Sequence, residues 1–146
     1  MGECIFCRIA KGELPCYKLY EDDNTIAFLD IFPVHPGHTL VVPKQHTLDI
    51  LDTDEETIRQ MITAAKKIAP AVMKATKADG INIGMNNRVA AGQEVFHAHL
   101  HVIPRYKDDG LKAWHKNLFK DEKQKEEVHE AIKKEIIGTE INFRSG

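Results

Sequence analysis

The chain has no run approaching the ~18 consecutive apolar residues of a bilayer-spanning helix. Its first residues, Met1-Gly2-Glu3-Cys4-Ile5-Phe6-Cys7, carry an acid and no long apolar stretch, so they do not read as a secretory leader. Gly2 follows Met1, but Phe6 stands where a myristoylation signal places serine or threonine. A dominant charge sign is also lacking. The 20 basic and 22 acidic residues leave a formal net charge of -2, which speaks against a broad nucleic-acid surface. A small anion held by histidines and backbone amides stays open. Cysteine is scarce at 3 in 146 residues, so thiols or metal ligands in a cytoplasmic protein are expected rather than a disulfide scaffold. No internal repeat, low-complexity segment or second CxxC is present.

What remains is the composition of an ordinary globular protein, 42% hydrophobic and 29% charged. One domain over residues 1–146 is expected, with a core over about 4–105 and a C-terminal helical extension over about 111–138. Residues 17–21 and 25–30 read as strands around the turn-forming Asp22-Asp23-Asn24. The β-branched run 39–43 follows the breaker Pro36-Gly37. Thr53-Asp54-Glu55-Glu56 matches a capping box. Behind it Ile58, Met61, Ile62, Ala65, Ile68, Ala69, Val72 and Met73 follow the helical period, and Pro70 predicts a kink or an early end. Residues 81–85 form a further predicted strand, with a loop through Asn86, Asn87 and Gly92. A charged helix over 121–137, apolar only at Val128, Ile132, Ile136 and Ile137, is predicted to stop at Gly138. The order of elements gives α+β: a meandering antiparallel sheet covered by one long helix, with a helix at the C-terminus.

The densest signal is His97-Ala98-His99-Leu100-His101-Val102-Ile103-Pro104, which holds three of the 8 histidines. A period of two is that of a strand, placing Ala98, Leu100 and Val102 in a core and the imidazoles on the opposite face. Same-face neighbours would lie roughly 7 Å apart and the outer pair roughly 13 Å. That row is long for one metal ion but suits a phosphate, whose oxygens and leaving group meet different imidazoles. The plain alternative is an exposed strand that happens to be histidine-rich.

Cys4-x-x-Cys7 has the half-site spacing of a tetrahedral zinc centre, and His46 and His97 are the natural remaining ligands for a closed, structural Cys2His2 site. A redox pair and two plain buried thiols are the alternatives. Cys16 has no evident partner.

These residues resemble the histidine-triad family, which binds nucleotides and breaks bonds at their α-phosphate. The motif His-φ-His-φ-His-φ-φ is complete over 97–103, and Ala27-Phe28-Leu29-Asp30-Ile31, residues 36–43 and Gly92-Gln93 match supporting segments. The similarity covers residues 4 to about 105 and is to the small bacterial, Hint-like branch, whose members are homodimers. It implies zinc held by Cys4, Cys7, His46 and His97, with no metal in the reaction itself. It also implies His99 as a nucleophile forming a nucleotidyl-histidine intermediate. A backbone carbonyl of the same strand holds its other ring nitrogen. By the same resemblance His101 touches phosphate or leaving group and helps deliver a proton, and His38 is the fourth histidine near the α-phosphate. Asn86 and Gln93 donate to phosphate or order the loop. Asp30 accepts from both ribose hydroxyls. Without the resemblance Asp30 is as readily a strand-end aspartate.

Ile5, Phe6, Ile9, Phe28, Leu29 and Ile31 are candidates to wall a purine base, against the weightier alternative of core packing. Where Hint relatives carry a small hydroxyl residue this chain has Glu94, which would repel a polyphosphate leaving group and favour a cationic amine. The function implied is a purine nucleoside 5′-phosphoramidate hydrolase releasing AMP or GMP. Alternatives are a dinucleoside polyphosphate hydrolase and, from another class, a nucleotide-binding interaction protein with incidental hydrolysis. Trp114 is a candidate pocket or interface aromatic.

Overall fold

Alternation along the strands sorts the apolar side chains onto the two faces of one sheet. In the computed structural model, which describes residues 4–144 (140–144 as backbone alone), the strands are β1 (Lys18–Glu21), β2 (Thr25–Leu29), β3 (Thr39–Pro43), β4 (Gly80–Gly84) and β5 (Leu100–Arg105). All neighbours pair antiparallel, in the order β1-β2-β3-β5-β4. Ala27, Val41 and Val102 face the long helix α2 (Glu55–Thr76), together with the partly buried Leu100. Ile26, Phe28, Leu40 and Val42 face the other way, against Phe6 of the short helix α1 (Ile5–Ala10). The α+β expectation holds and four strands lie within a residue of their expected bounds, whereas β5 begins three residues after His97, where the histidine run was expected to start a strand.

Helix α2 buries Met61, Ala64, Ala65, Ile68, Ala69 and Val72. That is an i, i+3, i+4 stripe in which three alanines let the helix lie close to the sheet. Ala64 belongs to this stripe, whereas Ile62 of the predicted set is exposed. The cap sits one residue later than the capping-box reading. Asp54, not Thr53, accepts from the Thr57 amide at 2.9 Å, while the Thr53 hydroxyl donates to the Asp49 carbonyl at 2.6 Å. A cap of this kind is worth about 1 kcal/mol. The helix runs unbroken through Pro70, so the early end does not occur. Pro70 lies on the exposed side, and packing of the buried stripe outweighs one lost hydrogen bond.

Two compact units are present, residues 1–109 and 110–146. The second carries α3 (Glu122–Arg144), which continues past Gly138 instead of stopping there. One interior glycine costs about 1 kcal/mol, too little to end a helix whose following residues remain helix-compatible. Its apolar positions Val128, Ile132, Ile136 and Ile137 are exposed, as is Trp114. Among the described residues no helix is long and apolar enough to cross a membrane.

Candidate active site and metal centre

Cys4 caps α1 and Cys7 lies three residues on, a spacing that puts both on one side of a helical turn. His46 follows β3, and His97 lies on the approach to β5. These four side chains converge, with all ligand atoms within 4.8 Å of one another. Cys4 Sγ is 3.4 Å and Cys7 Sγ 3.5 Å from His97 Nδ1. Cys7 Sγ lies 3.3 Å from His46 Nδ1, and the two Nδ1 atoms are 3.2 Å apart. A zinc tetrahedron with bonds of about 2.3 Å to sulfur and 2.0–2.1 Å to nitrogen has edges of roughly 3.3–3.8 Å. The donor set therefore fits zinc in kind and size. His97 is fully buried, and its Nε2–H donates to the Pro43 carbonyl at 2.8 Å, so the Nδ1 lone pair faces the cluster. Burial pushes its pKa down to about 4, keeping the ring neutral as ligation requires.

The same residue serves the next one. His99 Nδ1–H donates to the His97 carbonyl at 2.7 Å, leaving Nε2 with its lone pair. Burial lowers the His99 pKa, opposed by that hydrogen bond and by Asp30. The ring of Phe6 stands edge-on to His97 and His99, at 5.9 and 5.2 Å between centroids. Only His101 lies within β5, because the ladder begins at Leu100. The histidines thus do not form one strand-borne row. His97 turns into the Cys/His cluster, while the His99 and His101 rings approach to 4.9 Å, closer than strand geometry alone suggests.

A chain of tautomers follows from one amide. The Val34 N–H donates to His38 Nδ1 at 3.1 Å, so the neutral His38 carries its proton on Nε2. That Nε2–H donates to His101 Nδ1 at 2.9 Å. His101 therefore holds its own proton on Nε2, a buried atom with no protein partner. The register puts Leu40 opposite His101, which brings His38, just ahead of β3, to the same place. Burial lowers the His38 pKa, with Asp30 acting against it and His99 with it. Burial, then His99 and His38, push His101 down to about 4, opposed by Asp30.

A stability cost in acid follows. The unfolded chain has an ordinary histidine value of 6.5, above the folded value of about 4 for His101, so unfolding takes up a proton between these limits. The contribution is complete above pH 6.5 and is lost as pH falls toward 4. From His101 alone the loss between pH 7 and pH 5 is about 2 kcal/mol. Urea unfolding at the two pH values should show it, and it should shrink in His101→Asn.

The remaining expected residues are distributed unevenly. Asp30 ends the loop's approach to His38, with Oδ2 3.6 Å from His38 Nδ1 and Oδ1 accepting from the Phe32 amide at 2.9 Å. Asn86 Nδ2 donates to the Gly92 carbonyl at 3.3 Å. Gln93 is buried and braces the loop: it donates to the Leu48 and Val95 carbonyls and accepts from the Arg88 amide. Of its two expected uses, the structure has it ordering the loop, with no donor turned outward. Phe6, Phe28 and Ile9 pack in one core cluster, and Ile31 is exposed. Leu29 does not join them. Alternation turns it to the α2 side, into a groove with Ile68 and Val72, so it cannot share a wall with Phe28. Glu94 is exposed. Pro43, Thr47 and Val34 were missed by residue-type reasoning because they act through backbone; Thr47 accepts from the Ala98 amide at 2.7 Å.

Residues 11–108 match the family model of the HIT domain. The chain belongs to the HIT family. A HIT-like protein of Saccharolobus solfataricus is 44% identical over 96% of this chain and 99% of its own length. Adenylylsulfatase HINT3 of Arabidopsis thaliana is 43% identical over 75% of this chain, which spans 56% of that protein. Among solved HIT structures, SMU.412c of Streptococcus mutans superposes with a TM-score of 0.87 at 43% identity, covering 93% of this chain and 87% of the other. A zinc-bound histidine triad family protein of Mycobacterium smegmatis gives 0.71 at 43% identity, covering 84% and 88%. The HIT fold follows.

Proposed function

We propose that this HIT protein hydrolyses nucleoside 5′-phosphoramidates, most suitably those of purines, releasing the amine and AMP or GMP. The observation that carries the reading is His99: a buried neutral imidazole whose Nδ1–H is tied to a carbonyl, leaving a nucleophilic Nε2. Its Nε2 attacks the α-phosphorus, the P–N bond breaks, and the amine departs with a proton. Water then attacks the nucleotidyl-histidine, returning His99 and releasing the nucleoside monophosphate. His101 Nε2–H donates to a phosphate oxygen or to the departing amine nitrogen as charge develops there, with His38 behind it. Asn86 adds a donor, Asp30 accepts from the ribose, and Ile31 has exposed surface to offer the base beside Phe6, Ile9 and Phe28. Zinc, held by Cys4, Cys7, His46 and His97, would supply a structural cross-link. The same reading carries a cytoplasmic homodimer.

Two other leaving groups share the mechanism: a nucleotide of a dinucleoside polyphosphate and, from the name of the Arabidopsis relative, sulfate. Exposed Glu94 favours the amine. Parallel hydrolysis of adenosine 5′-phosphoramidate, diadenosine tetraphosphate and adenylyl sulfate decides among them. The expected order of kcat/KM puts the phosphoramidate first, and Glu94→Ser should narrow its lead over the tetraphosphate. A higher value for either rival moves the substrate assignment while keeping the chemistry. AMP binding by a folded protein that turns over none of the three would favour a nucleotide-responsive interaction protein.

A further inference from the structure

The direction of the His38–His101 hydrogen bond depends on one backbone amide, and the loop carrying that amide is fastened at a second point. Were His38 to take the opposite tautomer, Nδ1–H would face the Val34 N–H, two donors at 3.1 Å, while Asp30 Oδ2, at 3.6 Å, lies beyond hydrogen-bond distance. His38 Nε2 would then accept from His101 Nδ1, and His101 Nε2 would turn a lone pair toward the place where it now presents a proton. The Val34 amide therefore sets the polarity of the whole pair.

Val34 is followed by His35, whose carbonyl accepts from the His38 amide at 2.9 Å. The His35 side chain reaches away from the triad, and its Nε2–H donates to Asp109 Oδ2 at 3.3 Å. Its ring stands perpendicular to Tyr106 at 5.3 Å. Asp109 is a rigid anchor: its side chain is only 5% exposed, and it accepts from Arg105 Nε at 2.6 Å, a second Arg105 nitrogen at 3.0 Å and the Tyr106 amide at 3.1 Å. Tyr106 in turn donates to the Thr76 carbonyl at 3.1 Å, at the end of α2. On the other side of the loop, Gly37 has φ +98, and a Cβ there would fall 2.5 Å from Thr76 Cγ2. Both ends of the 34–38 turn are thus fitted against the α2 terminus and the residues after β5.

We propose that His35, through Asp109, is a positioning residue that holds the Val34 amide against His38 and so keeps His101 a donor toward the substrate. His35 touches none of the reacting groups; it acts through the loop. The consequence for turnover rests on the hydrolase reading, whereas the tautomer consequence does not.

The experiment compares His35→Phe, which keeps an aromatic ring beside Tyr106 but cannot donate, with His35→Gln, which keeps a donor near the position of Nε2. Nitrogen-15 spectra of the histidine rings in the free protein should show His38 Nδ1 unprotonated in the wild type and in His35→Gln. In His35→Phe they should show a mixture of tautomers at His38 and His101. The kcat for the phosphoramidate should fall about three- to tenfold in His35→Phe, the range that one hydrogen bond commands, with KM nearly unchanged and recovery in His35→Gln. Unchanged ring tautomers in a folded His35→Phe overturn the proposal whatever the protein hydrolyses. Altered tautomers with no turnover even in the wild type uphold the clasp and reject the hydrolase reading. His35→Leu, also unable to donate, carries the same comparison if the Phe variant does not fold.

Discussion

His99→Ala should lower phosphoramidate turnover by at least about 10⁴-fold while leaving AMP binding within a few-fold of wild type. The size of the effect comes from the role: without Nε2 there is no covalent intermediate, and loss of a nucleophile in comparable enzymes costs this much or more. Binding persists because Asp30, Asn86 and the apolar residues are untouched and because a neutral imidazole adds little ground-state attraction. Steady-state rates together with calorimetric titration of AMP test both halves. A variant retaining a tenth of the wild-type kcat would mean that His99 is not the attacking group, and His101 Nε2, which bears a proton in this arrangement, would not replace it.

Chelation should produce the second large effect, on stability rather than chemistry. Zinc at a thousandfold its dissociation constant contributes about 4 kcal/mol to the folded state. For a folded core of this size that corresponds to a melting temperature lower by about 10–20 °C once the metal is stripped. Cys4→Ser paired with Cys7→Ser should reproduce the loss and abolish any further effect of chelator. Thermal unfolding with and without chelator, alongside metal analysis of the purified protein, gives the answer. An identical melting temperature in the two conditions would reject a resident structural metal and return the four residues to plain packing. Some turnover should remain in metal-free protein well below its melting temperature, since the His97 carbonyl rather than its ring holds His99.

The Cys4, Cys7, His46 and His97 cluster was legible in the sequence because CxxC spacing marks half of it and the family resemblance points to the two histidines. The pairing of His38 with His101 was not, since it arises from the register of β3 against β5 across 63 residues. The contacts that orient the imidazoles lay further out of reach. They come from the Val34 amide and from the carbonyls of Pro43 and His97, groups that every residue possesses. Phe28 and Leu29 are consecutive in a strand, so a single wall could never have used both. Asp54 rather than Thr53 caps α2 because Thr57, three residues on, presents both its amide and its hydroxyl to the Asp54 carboxylate. Pro70 and Gly138 show a different limit. Each is an unfavourable residue in a long helix, and local propensity yields where the rest of the helix is favourable.

His97 places its ring among the cysteines and its carbonyl under His99. The two jobs belong to chemically different parts of one residue, so selection can act on them separately. A lineage is free to exchange the Cys/His cluster for a well-packed apolar quartet, provided that the main chain at position 97 stays where it is. A designer has the same freedom.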